Sequence, residues 1–362
     1  MQLAAYSFYA LIGNLGFNDP LLFFHTTYVV EGVFLKLPMI IADVGVFFLL
    51  ARSTKCLAAA LYFLNPFMIY LSAAWGTYDS VMIIFLVAGF LALERNNEKL
   101  ATVAFSISGL VKLFGFLPLV LIVGESLMRR RIKESFLQLG IAGSIASVTL
   151  APIVMQGGQQ NFISGFILRF LGVSGAQTRN YSIFSALLGT SFGGAPPYIW
   201  IAVIIVALTF LVTIRRTSSL FVPVLLSSTL GAIFLNIFSQ SEPQWLSWPI
   251  PLALMYASIT KRVGLASYAY AFGAIATFLT MTLTQGTGYV LFGLPLAFFL
   301  GPLEGFAGAI AVYAVTTLCL LLLLTGYVLS KPVKFKLEVL ALIVVVYTQA
   351  YFWLAIVGIQ NT

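Results

Sequence analysis

The sequence holds little charge and almost none of the side chains that bind metals. Charged residues make up 8% of the 362 positions, against about 25% in soluble domains, so a water-soluble fold is not expected. There is one histidine, His25, and there are two cysteines, Cys56 and Cys319, in or near apolar segments. The single histidine excludes a histidine-rich metal centre, and the two cysteines suggest neither a disulfide framework nor a metal site.

Common catalytic signatures are absent as well. The chain has no Walker loop, zinc-protease motif, serine-hydrolase elbow or dinucleotide fingerprint. The net charge of +8 does not indicate a nucleic-acid partner, because the basic residues are divided among short connections between apolar segments.

Long apolar runs fill the chain instead. Hydrophobic residues make up 60% of it and the mean hydropathy is +1.03, which indicates a polytopic integral membrane protein. Membrane helices are predicted at 34–51, 56–74, 78–93, 135–154, 197–214, 219–239, 245–260, 263–284, 304–327 and 337–358. Residues 98–126 exceed one straight span and carry Lys112 and Gly115 near the middle, so they are predicted to form two short helices in a hairpin.

The predicted fold is therefore all-α: one transmembrane helical bundle, residues 1–362, of about 11–13 membrane helices including the hairpin. Residues 2–15 and 288–300 are weaker segments, each a short span, a re-entrant piece or an interfacial helix. Residues 1–33 are interpreted as the remnant of an outer loop without a cleavable signal peptide. We expect a true N-terminal span upstream of Met1.

The basic residues predict the orientation of the bundle. If 34–51 runs inward, fifteen of the 19 basic residues lie on the cytosolic side, as the positive-inside rule requires. They are Arg52, Lys55, Arg95, Lys99, Arg129, Arg130, Arg131, Lys133, Arg215, Arg216, Lys261, Arg262, Lys331, Lys334 and Lys336. The longer and more polar connections then lie outside. One of them, 155–196, contains Phe162–Leu171, which is predicted to lie flat on the outer leaflet.

The acidic residues are few enough for each to be considered separately as a candidate site residue. Of the 11, five sit at inner helix ends beside Lys or Arg and are interpreted as structural: Glu94, Glu98, Glu125, Glu134 and Glu338. Asp43 lies within a span, on the same helix face as Lys36. A charge there is a functional candidate, but a hydrogen bond to a neighbouring helix would also explain it.

Five acidic residues remain on the outer side: Asp19, Glu31, Asp79, Glu242 and Glu304. Asp79 ends the loop that contains Trp75 and Tyr78, directly before a span. It is either part of a site for a polar substrate at the bilayer edge or a cap of the following helix.

Aromatic and amide side chains accompany Glu242. Gln244, Trp245 and Trp248 follow it within one outer loop. Rings beside carboxylate and amide groups suit a sugar, whose C–H face stacks while its hydroxyls need acceptors. An ordinary aromatic belt at the membrane interface would give the same two tryptophans.

Three cations lie near the outer half of the predicted bundle: Lys112, Arg169 and Arg179. A lipid phosphate would need such partners, and the forked guanidinium of Arg suits it. Contact with lipid headgroups would also explain Arg169, and Lys112 could reach water by snorkelling.

Four of these stretches resemble motifs of the GT-C superfamily of polytopic glycosyltransferases. Lys36–Asp43 (KLPMIIAD) is similar to the K-L-P-x-I-x-x-D helix of that superfamily, and 64–79 to its N-P…W/G-x-x-D segment. Gly109–Pro118 resembles the K…P hairpin, and Glu242–Pro251 the late E-x-Q-x-x-W-x-x-P loop. The branch most similar to residues 30–255 comprises mannosyltransferase-like enzymes related to the first GPI-anchor mannosyltransferase.

The resemblance implies an inverting hexosyltransferase, with mannose the expected sugar. Its donor would be a polyprenyl- or dolichyl-phosphate sugar, and its acceptor a lipid-linked or protein-linked glycan on the non-cytosolic face of the cell membrane. Membrane lipids, this donor and a glycan or glycolipid acceptor are the partners implied. Whether a divalent cation takes part stays open, and no other cofactor is implied.

The resemblance also assigns roles. Such enzymes use an acidic residue of the first outer loop as base or substrate orienter, and Asp19 is the nearest match, although no paired acidic motif surrounds it. Asp79 and Glu242 would hold sugar hydroxyls, and Trp75 or Trp245 would stack on the sugar. Lys112, Arg169 or Arg179 would stabilise the departing phosphate.

Two other functions fit the same residues. A flippase of lipid-linked sugars, or a small-solute transporter, would need a polar path through the spans, where charges such as Lys36, Asp43 and Lys112 are few. An inactive truncated homologue would keep the motifs without the activity.

Overall fold

A computed structural model describes residues 23–53, 56–75, 77–153, 199–217, 219–238 and 243–283. Within these ranges the chain forms helices and turns and no strand, which confirms the all-α prediction for this part of the chain. The predicted segments 304–327 and 337–358, together with 2–15, 155–196 and 288–300, lie outside the described residues.

Eleven α-helices are described. In chain order they are α1 (Phe23–Ser53), α2 (Cys56–Phe63), α3 (Pro66–Ile69), α4 (Asp79–Glu94), α5 (Glu98–Val111), α6 (Phe116–Met128), α7 (Ile132–Ile153), α8 (Ile199–Ile214), α9 (Phe221–Phe238), α10 (Pro249–Ile259) and α11 (Val263–Leu283). A π-helix covers Tyr70–Trp75, and 3₁₀ turns cover Leu113–Gly115 and Pro243–Ser247.

The hairpin predicted for 98–126 is confirmed. Helices α5 and α6 run to and from a 3₁₀ turn at Leu113–Gly115, with Lys112 at the apex in an extended conformation. Gly115 permits this turn, because a Cβ there would collide with the backbone of Ser108 and Gly109. Ser108 in turn donates a hydrogen bond from Oγ to the carbonyl oxygen of Met82, 2.9 Å away, which fixes the hairpin against α4.

The single span predicted at 56–74 is wrong in detail. The chain breaks between α2 and α3, because Pro66 lacks an N–H and Asn65 caps the new helix by accepting a hydrogen bond from the amide of Phe67 at 3.0 Å. Likewise, the span predicted at 245–260 is a 3₁₀ turn followed by α10, which has only 11 residues.

Three helices begin at one cluster and end in turns of the same kind. Helices α4, α6 and α10 start near Asp79, Phe114 and Trp248, and Trp248 contacts both of the other two residues. Each ends in a turn whose second residue, Asn96, Arg130 or Lys261, has a left-handed φ of 56–58°. At 1.5 Å of rise per residue, the 16 residues of α4 separate the two ends by about 24 Å.

The core between these helices is tightly packed. Phe90 of α4 meets the ring of Phe105 on α5 edge-on, with centroids 5.1 Å apart, and the ring of Phe221 on α9 at 6.4 Å. Gly89 leaves the room that the Phe105 ring fills. Packing at this density holds α4 at the centre of the described bundle.

The outer surface is strongly apolar. Large hydrophobic side chains are widely exposed, up to 76% for Val148 and 70% for Phe136 on α7. Among the described helices, Ile132–Pro152 alone is both long enough and apolar enough to cross a membrane, and only 11% of that window is buried.

We predict that Gly115→Ala destabilises the hairpin by about 1–3 kcal/mol, the usual cost of forcing an extra group into a packed site. Gly124→Ala, on α6 of the same hairpin, is the control, because a Cβ there meets nothing within 4 Å. That change should be neutral or stabilising by up to about 1 kcal/mol. Equilibrium unfolding in detergent measures both, and equal effects would contradict the close approach at Gly115.

Candidate functional site

A buried carboxylate joins three separate segments of the chain. Asp79 is fully buried at the first turn of α4. Its Oδ2 lies 2.9 Å from Lys112 Nζ at the hairpin apex, and its Oδ1 accepts a hydrogen bond from Trp248 Nε1 at 2.7 Å. Both carboxylate oxygens therefore have a charged or polar donor.

The alternative interpretation of Asp79, a place at a helix N-terminus, is confirmed only in part, because the residue lies in the first turn of α4 but does not cap the helix. Tyr78 occupies the N-cap position of α4, and no side chain caps the helix there. Asp79 follows as the first helical residue, where its charge is favoured by the helix dipole. Its hydrogen bonds nevertheless go to other segments, so its role is tertiary.

Aromatic rings surround the Trp248 end of this cluster. The indole of Trp248, only 4% exposed, stacks on the ring of Phe114 at 4.8 Å and on the indole of Trp245 at 4.9 Å, each with an interplanar angle of 19°. Such stacked pairs add to the free energy gained by burial alone. Trp245 is less buried than Trp248, so it has the more accessible of the two indoles.

Backbone contacts fix the segment that carries the tryptophans. Asn236 on α9 donates from Nδ2 to the carbonyl oxygen of Trp245 at 3.1 Å. Ser247 closes the 3₁₀ turn by donating from Oγ to the carbonyl oxygen of Gln244 at 2.6 Å. The indole of Trp248 is thereby aimed at Asp79.

The accessible side of the cluster is formed by Lys112 and Tyr78. The Lys112 side chain is 19% exposed, and an ammonium group carries three N–H donors. Tyr78 is 41% exposed beside the buried Asp79. The arrangement therefore presents a cation, fixed in place from below by a buried carboxylate, next to aromatic side chains.

A second buried carboxylate belongs to α1. Asp43 of α1, 6% exposed, accepts a hydrogen bond from the hydroxyl of Tyr62 at 2.6 Å, and the hydroxyls of Ser72 and Ser80 face it. The expected hydrogen bond from Asp43 to a neighbouring helix is confirmed, since Tyr62 lies on α2.

The structure brings together four of the residues singled out in the sequence: Asp79, Lys112, Trp245 and Trp248. Tyr78 and Gln244 are their chain neighbours, and Trp75 ends the π-helix four residues before Asp79. The remaining candidates lie outside the described residues: Asp19, Arg169, Arg179 and Glu242.

Four contributors were missed in the sequence. Phe114, two residues after Lys112, gave no signal beyond its place in an apolar segment. Tyr62 and the two serines near Asp43 gave no signal either, because a hydroxyl inside a predicted span is common.

A metal centre has no obvious ligands here: no group of three His, Cys, Asp or Glu side chains lies together within the described ranges.

Comparisons with protein-family models, with curated proteins and with solved structures return no match for this chain.

We predict that Trp248→Phe costs about 1.5–3 kcal/mol of stability, because it keeps an aromatic ring but leaves Asp79 with one hydrogen bond fewer to its charge. Trp245→Phe is the matched control, since it changes the same stack without removing a donor to Asp79. Chemical denaturation of the two variants in detergent compares them. Equal losses would show that ring size, and not the hydrogen bond, explains the effect.

Proposed function

We propose that the chain is a polytopic membrane protein whose Asp79–Lys112–Trp248 cluster faces the non-cytosolic side. The wide exposure of apolar side chains supports a lipid environment, because soluble monomers rarely show such continuous surfaces. The helices Leu113–Met128, Ala202–Ile214 and Phe221–Asn236 are shorter but also apolar.

The position of the basic turns supports this orientation. Arg95 follows α4, Arg129–Arg131 follow α6, and Lys261 and Arg262 follow α10. At 1.5 Å of rise per residue, the 16, 13 and 11 residues of these helices place the turns about 24, 20 and 17 Å from the Asp79 end. Cationic turns favour the cytosolic face, so the cluster lies toward the opposite leaflet.

We further infer that the protein transfers a hexose from a polyprenyl-phosphate donor. One observation carries this proposal: Lys112 is the cation at the apex of a hairpin, anchored by the buried Asp79 and flanked by an aromatic stack. A lipid-linked sugar offers a phosphate for the cation and a C–H face for the rings. The resemblance of four sequence motifs to polytopic glycosyltransferases points to the same substrate.

In this mechanism Lys112 binds the phosphate oxygens of the donor. The acceptor hydroxyl oxygen bonds to the anomeric carbon while the bond from that carbon to the phosphate oxygen breaks. The electron pair leaves with the lipid phosphate, where the ammonium group of Lys112 stabilises the developing charge. The hydroxyl proton passes to a carboxylate that acts as base.

Asp79 is not that base. Both of its oxygens are occupied by Lys112 and Trp248, and it is fully buried, so it positions Lys112. The base comes from Glu242 or Asp19, the two remaining catalytic candidates. Glu242 directly precedes the segment Pro243–Trp248 that contacts Asp79.

The test is hexose transfer by the purified chain in proteoliposomes supplied with radiolabelled polyprenyl-phosphate hexoses and a glycolipid acceptor. We predict that Asp79→Asn/Lys112→Gln lowers the rate about 10²–10³-fold, as expected for the loss of one transition-state donor. This double variant leaves no unpaired charge in the core, so the protein stays folded. Arg216→Gln, in an exposed turn, is the control and retains full activity.

The same vesicles discriminate between the candidate functions. Transfer that survives in the double variant would contradict the role of Lys112. Scrambling of the lipid-linked sugar between leaflets without any transfer would instead identify a flippase. Recovery of the chain in the soluble fraction, before detergent is added, would overturn the membrane assignment itself.

A further inference from the structure

A second polar site lies at the end of the bundle opposite Asp79. A cavity of about 510 Å³ opens between the α4–α5 turn and the first turns of α7. Its lining includes Arg95, Lys99, Arg131, Glu98, Glu134 and Gln138. That volume lies within the range of small-molecule sites, and none of these residues takes part in the function proposed above.

The charges that line the cavity do not cancel. Glu98 is neutralised within the protein, because its Oε1 lies 3.1 Å from Arg131 Nη1 and its Oε2 accepts a hydrogen bond from Gln138 Nε2 at 3.1 Å. Arg131 also pairs with the buried Glu125. Arg95 and Lys99 form no ion pair within the described ranges, so two cations face one remaining carboxylate, Glu134.

The ion pairs hold Arg131 in its charged form. Burial acts to lower the pKa of the guanidinium, but the hydrogen bonds and charges of Glu98 and Glu125 outweigh it, and the pKa lies above its ordinary value. Arg131 therefore stays charged within the lining, and Glu98 and Glu125 offset its charge.

Two buried polar atoms in the lining lack a partner within the described ranges. Arg131 Nε is a donor without an acceptor, and Gln138 Oε1 is an acceptor without a donor. Gln138 is only 3% exposed, so both atoms are shielded from bulk water. Leaving such groups unpaired is unfavourable, and a ligand with an anionic oxygen and an O–H or N–H group would supply both partners.

We propose that this cavity binds a phosphate ester that also carries a hydroxyl or ammonium group. Arg95, Lys99 and Arg131 Nε receive the phosphate, and Gln138 Oε1 and Glu134 accept hydrogen bonds from the hydroxyl or ammonium. Such a group occurs on phospholipid headgroups and on soluble phosphate esters. Leu137, which lines the cavity and is 44% exposed, would also contact acyl chains.

The test is calorimetric titration of the purified full chain, in detergent micelles, with two probes. Dihexanoyl phosphatidylglycerol represents the lipid headgroup and glycerol 3-phosphate the soluble ester, while dihexanoylglycerol controls for acyl chains alone. Tighter binding of the phospholipid identifies a lipid site, and equal binding identifies recognition of the headgroup itself. Both results support the proposal.

Arg95→Gln/Lys99→Gln should weaken phosphate binding about 30-fold, from the contribution of each basic residue to an anionic headgroup. Arg215→Gln/Arg216→Gln removes the same charge from another exposed turn and should weaken binding less than threefold. All four positions are exposed, so folding is preserved. Equal weakening in the two variants, no heat with either phosphate probe, or equal binding of dihexanoylglycerol would overturn the proposal.

Discussion

The described bundle depends on the burial of one carboxylate. A charge that is taken out of water costs several kcal/mol unless it gains well-placed partners, and Asp79 is fully buried. Its two oxygens meet Lys112 and Trp248, which lie 33 and 169 positions away in sequence. The start of α4, the apex of the hairpin and the tryptophan segment must therefore meet at one point. The polar site and the packing of the central helices follow from the same requirement.

Charged side chains at the two ends of the helices are stabilised in different ways. Near Asp79, one buried ion pair and an aromatic stack leave Lys112 partly exposed, as a site for an anion requires. At the other end, Arg131 pairs with Glu98 and Glu125, and Arg129 Nε lies 2.6 Å from Glu125. The left-handed conformation of Arg130 costs roughly 1–2 kcal/mol in a non-glycine residue. The ion pairs on either side of this turn offset part of that cost. The glutamates interpreted from the sequence as structural, Glu98 and Glu125, are indeed held in ion pairs.

Local patterns predicted much of this arrangement. Apolar runs located α4, α7, α8, α9 and α11 to within a few residues, and a charge with a glycine in mid-segment predicted the hairpin. Asp79 was singled out because acidic residues are scarce. Lys112 was singled out because it lies in the middle of the predicted hairpin. The contact between Asp79 and Lys112 could not be predicted from local patterns, because no sequence period relates residues on different helices. For the same reason the stack of Phe114 on Trp248, the break at Asn65 and the π-helix at Tyr70–Trp75 went unpredicted. The candidates Asp19, Glu242, Arg169 and Arg179 stay predictions.

A double-mutant cycle between Asp79 and Lys112 tests the central interaction most directly. Lys112→Met alone leaves a buried carboxylate without its cation and should cost about 3 kcal/mol of unfolding free energy. Asp79→Asn/Lys112→Met removes both charges and should cost clearly less than the sum of the two single changes, with a coupling of about 2 kcal/mol. Additivity within about 0.5 kcal/mol would mean that the two side chains do not meet, and the account of the site would be wrong.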